Sequence, residues 1–223
     1  MVKALFYKEW LKVRSAVFIL AGLFIVLVIK IALEISYNIR FLDANKFWYQ
    51  VIILGDFYFD DLKFFPLLIG LVIAFAQYMP EINANRLKLT LHLPLKENSI
   101  LLFMVGFGTL AFFAVNLLGM GLFSIVTARI FPWEFLFNVW ITIAPWVLAG
   151  FTIYWAAAAI FVEPIWLKRI VLIIFSFGYL FFLFYTSAYS MYKYSLPWFI
   201  ITSLFFSVII LYTGQRFRRG VEK

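Results

Sequence analysis

The chain has 223 residues, of which 65% are hydrophobic, 22% aromatic and only 13% charged, with a formal net charge of +8. Soluble domains sit nearer about 45–50% apolar and about 25% charged, so the composition and a mean hydropathy of +0.99 exclude a soluble globular fold and predict an all-α polytopic membrane protein. The chain has no cysteine, which excludes disulfides and thiolate metal sites, and the first apolar run is too long and lacks the small-residue site of a cleaved signal peptide.

Residues 1–14 predict an amphipathic helix at the membrane surface. Leu5, Phe6, Trp10, Leu11 and Val13 fall near helical spacing, and Lys3, Lys8, Glu9, Lys12 and Arg14 occupy much of the rest. In that reading Trp10 sits at headgroup depth, while Lys12 and Arg14 meet anionic lipid. A first span follows over 15–37. Lys30 and Glu34 lie four apart near its outer end, on one face, which favours a mutual pair or snorkelling over a place in a substrate path.

Residues 38–62 form a long connection rich in Asp and aromatics, expected to rest in the membrane interface. Asp56, Asp60 and Asp61 lack the loop pattern that calcium requires, so no metal is expected. The second span covers 64–79, and Pro80 is expected to stop it. The third span (99–128) carries Gly106, Gly108, Gly119 and Gly121 as flat surfaces for close helix packing, and Asn116 as an interhelical hydrogen-bond partner. The fourth (135–161) holds Pro145, expected to kink it, and four alanines at 156–159 that suit a neighbouring helix. A polar loop (162–169), a fifth span (170–188), a short outer turn and a sixth span (197–212) complete one transmembrane domain, 1–223.

Lys and Arg concentrate in the N-terminal flank, in the 80–98 loop (Arg86, Lys88, Lys96), in the 162–169 loop and in the tail. The opposite connections carry fewer: Arg40, Lys46, Lys63, Arg129 and Lys193. The positive-inside rule therefore places both termini and the 80–98 loop in the cytoplasm.

That loop, PEINANRLKLTLHLPLKEN, is about three times longer than a simple helix connection needs. Leucines interleave with Arg86, Lys88 and His92, the single histidine. An amphipathic segment of this kind predicts docking on a partner. Glu81, then five residues, then Leu87, Thr90, Leu91, Leu93 and Pro94 resembles the cytosolic loop of ABC transporter permeases of the type-2 exporter family. The layout of a basic N-terminal helix and six spans is similar as well.

The resemblance implies a coupling helix, with Glu81, Arg86, Leu89, His92 and Pro94 as coupling residues, seated on a separate ABC ATPase subunit. It also implies a second permease copy or a paralogue, a bacterial inner membrane, and ATP with magnesium bound by the partner rather than by this chain. No nucleic-acid partner is expected; membrane lipids are. The sequence GxxxxGK[ST] is absent from the chain, so ATP chemistry is not expected in it. The family's re-entrant helices between the fifth and sixth spans have no room in 189–197, and the 47–59 stretch of the outer connection is expected to serve in their place. Three rival readings are an intramembrane enzyme, a scaffold subunit and a secondary transporter. The first needs grouped ionisable residues in the spans, and the last needs charged or broken helices at mid-membrane.

Overall fold

The computed structural model describes residues 2–83 and 97–218, which are almost wholly helical and contain no strand. Seven α-helices are present among the described residues: α1 (Val2–Tyr37), α2 (Ala44–Trp48), α3 (Phe65–Asn83), α4 (Glu97–Thr127), α5 (Trp133–Val162), α6 (Trp166–Phe184) and α7 (Leu196–Arg218). Five of them (α1, α3, α4, α5 and α6) are long and apolar enough to cross a membrane, and α7 adds a shorter apolar stretch, Leu196–Ile210. The chain is an integral membrane protein by this measure.

α1 runs unbroken through residue 14, with no turn separating a surface helix from a span. At about 1.5 Å per residue it is about 54 Å long, well beyond a hydrocarbon core of about 30 Å. One stripe explains its course: Leu5, Glu9, Val13, Leu20, Phe24, Val28, Ile31 and Ile35 are all buried. Their spacing is helical throughout, so the first turns lie against the bundle on the same face as the rest.

α3 and α5 form the spine and share the most extensive helix contact. A Cβ on Gly70 would collide with the carbonyl of Gly150, and a Cβ on Gly150 with the carbonyl of Pro66. The two backbones touch because neither residue has a side chain, as in close membrane-helix crossings. α1 packs on α3 and α4, and α7 packs on α5 and α4. α6 lies at the periphery against α5, with most of its large side chains exposed. Ala156, Ala157, Ala158 and Ala159 are all buried, as expected of a small-residue face. Of the α4 glycines, Gly108 and Gly119 lie against neighbouring side chains, whereas nothing approaches Gly106 or Gly121.

Pro80 does not stop α3, which continues to Asn83. A proline deprives the helix of one hydrogen bond, to the carbonyl four residues earlier, and here only one turn remains beyond it. Pro145 is likewise contained within an unbroken α5. The polar loop before α6 is shorter than the sequence suggests: α5 ends at Val162 and α6 begins at Trp166. Arg169 closes it by donating from Nε to the carbonyl of Glu163 at 2.5 Å.

The 38–62 segment packs partly on the core and leaves Phe41, Tyr49 and Ile53 exposed. It is helical over 38–54, with π-type turns on either side of α2, and a left-handed Gly55 (φ 75°) ends it. Phe47, Val51, Phe59 and Leu62 are buried in the core. Tyr58 stacks on Phe131 with ring centroids 4.8 Å apart, and Phe57 meets Tyr189 edge-on at 5.0 Å. The Tyr189 hydroxyl donates to the carbonyl of Asp56 at 2.9 Å, so the turn before α7 joins the same aromatic cap. Burial pushes the Tyr58 and Tyr189 phenols up from their ordinary value. Lys30 binds Asp61 at 2.6 Å and Glu34 at 3.3 Å, which matches the mutual pair expected of Lys30 and Glu34 and adds a clasp between α1 and the cap.

Because the α3–α5 contact is backbone against backbone, a side chain there forces the helices apart. Gly150→Leu should lower stability by about 1–3 kcal/mol, read as a fall in the thermal unfolding midpoint in detergent. Gly106→Leu, at an open position, should leave the midpoint unchanged.

Candidate functional site

The bundle end that carries residues 83 and 97 holds a buried polar cluster, built where α1, α3, α4 and α5 meet. α1 supplies Lys8, Glu9 and Lys12, α3 supplies Gln77 and Glu81, and α5 supplies Tyr154. Glu9, Gln77 and Tyr154 are fully buried, and Glu81 is 1% exposed. A helix places residues four apart on one face. Gln77 and Glu81 therefore look together toward α1, and Lys8 and Lys12 look together toward α3.

Lys12 bridges the two acids, with Nζ 2.5 Å from Glu9 Oε1 and 2.9 Å from Glu81 Oε1. Lys8 Nζ lies 2.8 Å from the same Glu81 oxygen. Gln77 uses both N–H groups of its amide: one donates to Glu9 Oε2 at 2.9 Å, the other to the carbonyl of Met104 at 2.7 Å. Its own oxygen accepts from the Tyr154 hydroxyl at 2.8 Å, which also lies 3.2 Å from the carbonyl of Val105. Gly108 makes this possible, since a Cβ there would collide with the Tyr154 hydroxyl and the Gln77 oxygen. Two carboxylates thus meet two ammonium groups with matched charge. Such a group of ions is tolerated in a low-dielectric interior only when paired and hydrogen-bonded.

The sequence expectations divide here. Glu81, expected as a coupling residue, is ion-paired with Lys8 and Lys12 of α1. The N-terminal helix was expected to present Trp10, Lys12 and Arg14 to the membrane surface. Lys12 instead turns inward and is 12% exposed. Arg14 is exposed, and Trp10 is half-buried, meeting Phe18 edge-on at 6.0 Å. Arg86, Leu89, His92 and Pro94 lie outside the described residues. Glu9, Gln77 and Tyr154 were missed as site residues. Glu9 carried a readable signal, since it falls at the helical spacing between Leu5 and Val13 on the face that buries. Asn116 does not bridge helices: its Nδ2 donates to the carbonyl of Phe112 on its own helix at 2.9 Å.

The Tyr154 proton is directed at an amide oxygen and a carbonyl. The cluster joins four helices. It fastens the first turns of α1 to the last turn of α3 and the first turns of α4, on either side of residues 84–96. A cavity of about 310 Å³ opens beside Glu81, walled by Tyr7, Leu11 and Pro80. Among known proteins, the chain matches no family model, no curated protein and no solved structure.

Glu9 is the member whose loss cannot be repaired by solvent. Glu9→Leu should cost about 3 kcal/mol, because it leaves one Gln77 N–H without its acceptor and Lys12 with only the carboxylate it shares with Lys8. Tyr154→Phe removes one hydrogen bond and should cost about 1 kcal/mol. Thermal unfolding of the two purified variants orders them.

Proposed function

We propose that this chain is the permease subunit of an ATP-driven exporter similar to the type-2 ABC family, in which residues 84–96 couple it to a separate ATPase. The observation that carries this reading is the buried cluster at both roots of that segment. Glu81 and Gln77 lie in the helix that enters it, and the Met104 and Val105 carbonyls in the helix that leaves it. A push on the segment would pass into α1, α3, α4 and α5 together, because ion pairs join α1 to α3 and buried hydrogen bonds join these to α4 and α5, and neither is parted in a low dielectric without cost. Rigid-body rocking of bundles needs such a coupled root.

In this reading α7 is the sixth span, and the basic first turns of α1 extend the first span to the cytoplasmic boundary. Both termini face the cytoplasm of a bacterial inner membrane. Two such chains line one path, and two ATPase subunits bind ATP and magnesium. The aromatic cap of 38–62 with Tyr189 closes the far end, in the place of re-entrant helices. The cargo is apolar or amphipathic, in keeping with the aromatic richness of the spans.

The test is to purify the chain with the products of its neighbouring genes in mild detergent and weigh the particle. A complex of two permease and two ATPase chains, with ATP turnover that rises when the permease is present, is expected. A particle without a nucleotide-binding partner would overturn the reading and favour a scaffold or a secondary transporter. In the complex, Glu81→Gln keeps the side-chain shape but weakens the bridge to Lys8 and Lys12. It should leave insertion intact and cut transport at least tenfold relative to ATP hydrolysis, equivalent to about 1.4 kcal/mol of lost coupling. Full transport by that variant would count against the coupling role of Glu81.

A further inference from the structure

The outward apolar faces of α1 and α6 have charged edges, and the edges lie close together. Between exposed Arg14 and Lys30, α1 exposes Phe18, Ile19, Leu23, Val26 and Ile29 and no charge. At about 1.5 Å per residue the two charges stand about 24 Å apart along the helix. Lys30 is fixed by Asp61 at 2.6 Å and by Glu34 at 3.3 Å, and the three side chains are 38–53% exposed. Ions this exposed are too costly in hydrocarbon, so the triad marks one edge of the belt. Beyond it, Tyr37 stacks on Phe41 with centroids 5.1 Å apart, as aromatics do in the headgroup layer. On α6, exposed Lys168 and half-buried Arg169 precede an uncharged run that ends with the helix at Phe184. That run is about 22 Å long, and the Tyr192 hydroxyl closes its end by donating to the carbonyls of Phe182 and Tyr185 at 2.8 and 3.1 Å. The two helices share one outer level: Lys30 binds Asp61, and Phe184 stacks on Phe64 at 5.0 Å, three residues further along the chain.

We propose that these faces are covered by the acyl chains of short-chain phospholipids, and that the protein thins a thicker bilayer around itself. A typical hydrocarbon core is about 30 Å thick. The belt reaches about four-fifths of that height, and any tilt of the helices lowers it further. Lys30 does not reach outward to make up the difference, because Asp61 holds it. At the other edge Arg14 and Lys168 meet lipid phosphates by charge, and Trp166, 71% exposed with the Arg169 guanidinium 5.8 Å from its ring centre, lies at headgroup depth. Every ångström of mismatch between belt and bilayer carries a cost, so chains of matching length are retained at the surface. The inference does not rest on the exporter reading, since the height of the belt is the same whatever the cargo or its direction.

The experiment reconstitutes the full chain in bilayers containing dioleoyl-phosphatidylcholine brominated in its chains, which quenches exposed tryptophans such as Trp140, Trp166 and Trp198. Dimyristoleoyl-, dioleoyl- and dierucoyl-phosphatidylcholine then compete for the surface, and fluorescence recovery gives their relative binding. The dimyristoleoyl lipid should bind about threefold better than the dioleoyl lipid, with the dierucoyl lipid weakest. Equal binding, or a maximum at dioleoyl or longer, would overturn the proposal. Lys30→Leu combined with Glu34→Leu removes the outer edge on α1 and extends its uncharged run to Arg40. In that variant the maximum should move toward dioleoyl, and an unmoved maximum would overturn the triad as the edge. The profile of the unmodified chain decides the thickness by itself, so the test stands if the variant does not fold. Phe177, on the outward face of α6, is 73% exposed. Disulfide-linked dimers of Phe177→Cys in the same bilayers would overturn the lipid as occupant in favour of a second copy.

Discussion

Lys12 between Glu9 and Glu81 is the interaction on which the rest of the architecture depends. An ammonium group and two carboxylates taken out of water must find each other, or the helices that carry them separate. Three features follow from that one demand. The first turns of α1 lie on the bundle rather than on the membrane surface. α3 continues past Pro80, because Glu81 must reach α1 from a helical position. α4 presents the carbonyls of Met104 and Val105 to side chains from its neighbours, and Gly108 leaves the space in which Gln77 and Tyr154 do so.

The two ends of the bundle are held by different physics. One end is fastened by charge and hydrogen bonds among four helices, with directional contacts that permit few alternative arrangements. The other is closed by stacked and edge-on aromatic rings, Tyr58, Phe131 and Tyr189 among them, which slide and repack at lower cost than an ion pair separates. Between them runs the glycine contact of α3 with α5. A body that is stiff at one end and adaptable at the other suits the proposed role, in which force enters near residues 84–96 and the far end opens.

Much of the helical architecture was legible in the sequence, because long apolar runs are a one-dimensional signal. The spans near 15–37, 64–79, 99–128, 135–161 and 170–188 correspond to α1, α3, α4, α5 and α6, with ends displaced by several residues. The ends moved for identifiable reasons. Proline at 80 costs one hydrogen bond, not a helix, and the second half of VEPIWLKR is the first turn of α6 rather than a loop. The site was only partly legible. Glu81 stood out by its place in a motif. Its partners lie 69 and 73 residues away along the chain, and nothing local distinguishes Lys8 and Lys12 from the other basic residues of the flank. Gln77 was visible as a polar residue late in a span, but Tyr154 is one of twelve tyrosines, and only its position opposite Gly108 singles it out.

The sequence by itself determined that this chain lives in a membrane, that it is helical, and that a polar amphipathic segment divides its second and third long helices. Those properties follow from composition and periodicity, which act residue by residue. Tertiary structure decided which charges are buried, which glycines matter and what the aromatic segment covers. Gly70 meets Gly150, Glu9 meets Gln77 and Lys12 meets Glu81 only when helices distant in the chain are side by side. A low-dielectric interior turns such proximity into obligatory pairing, and no local pattern records which partner is chosen.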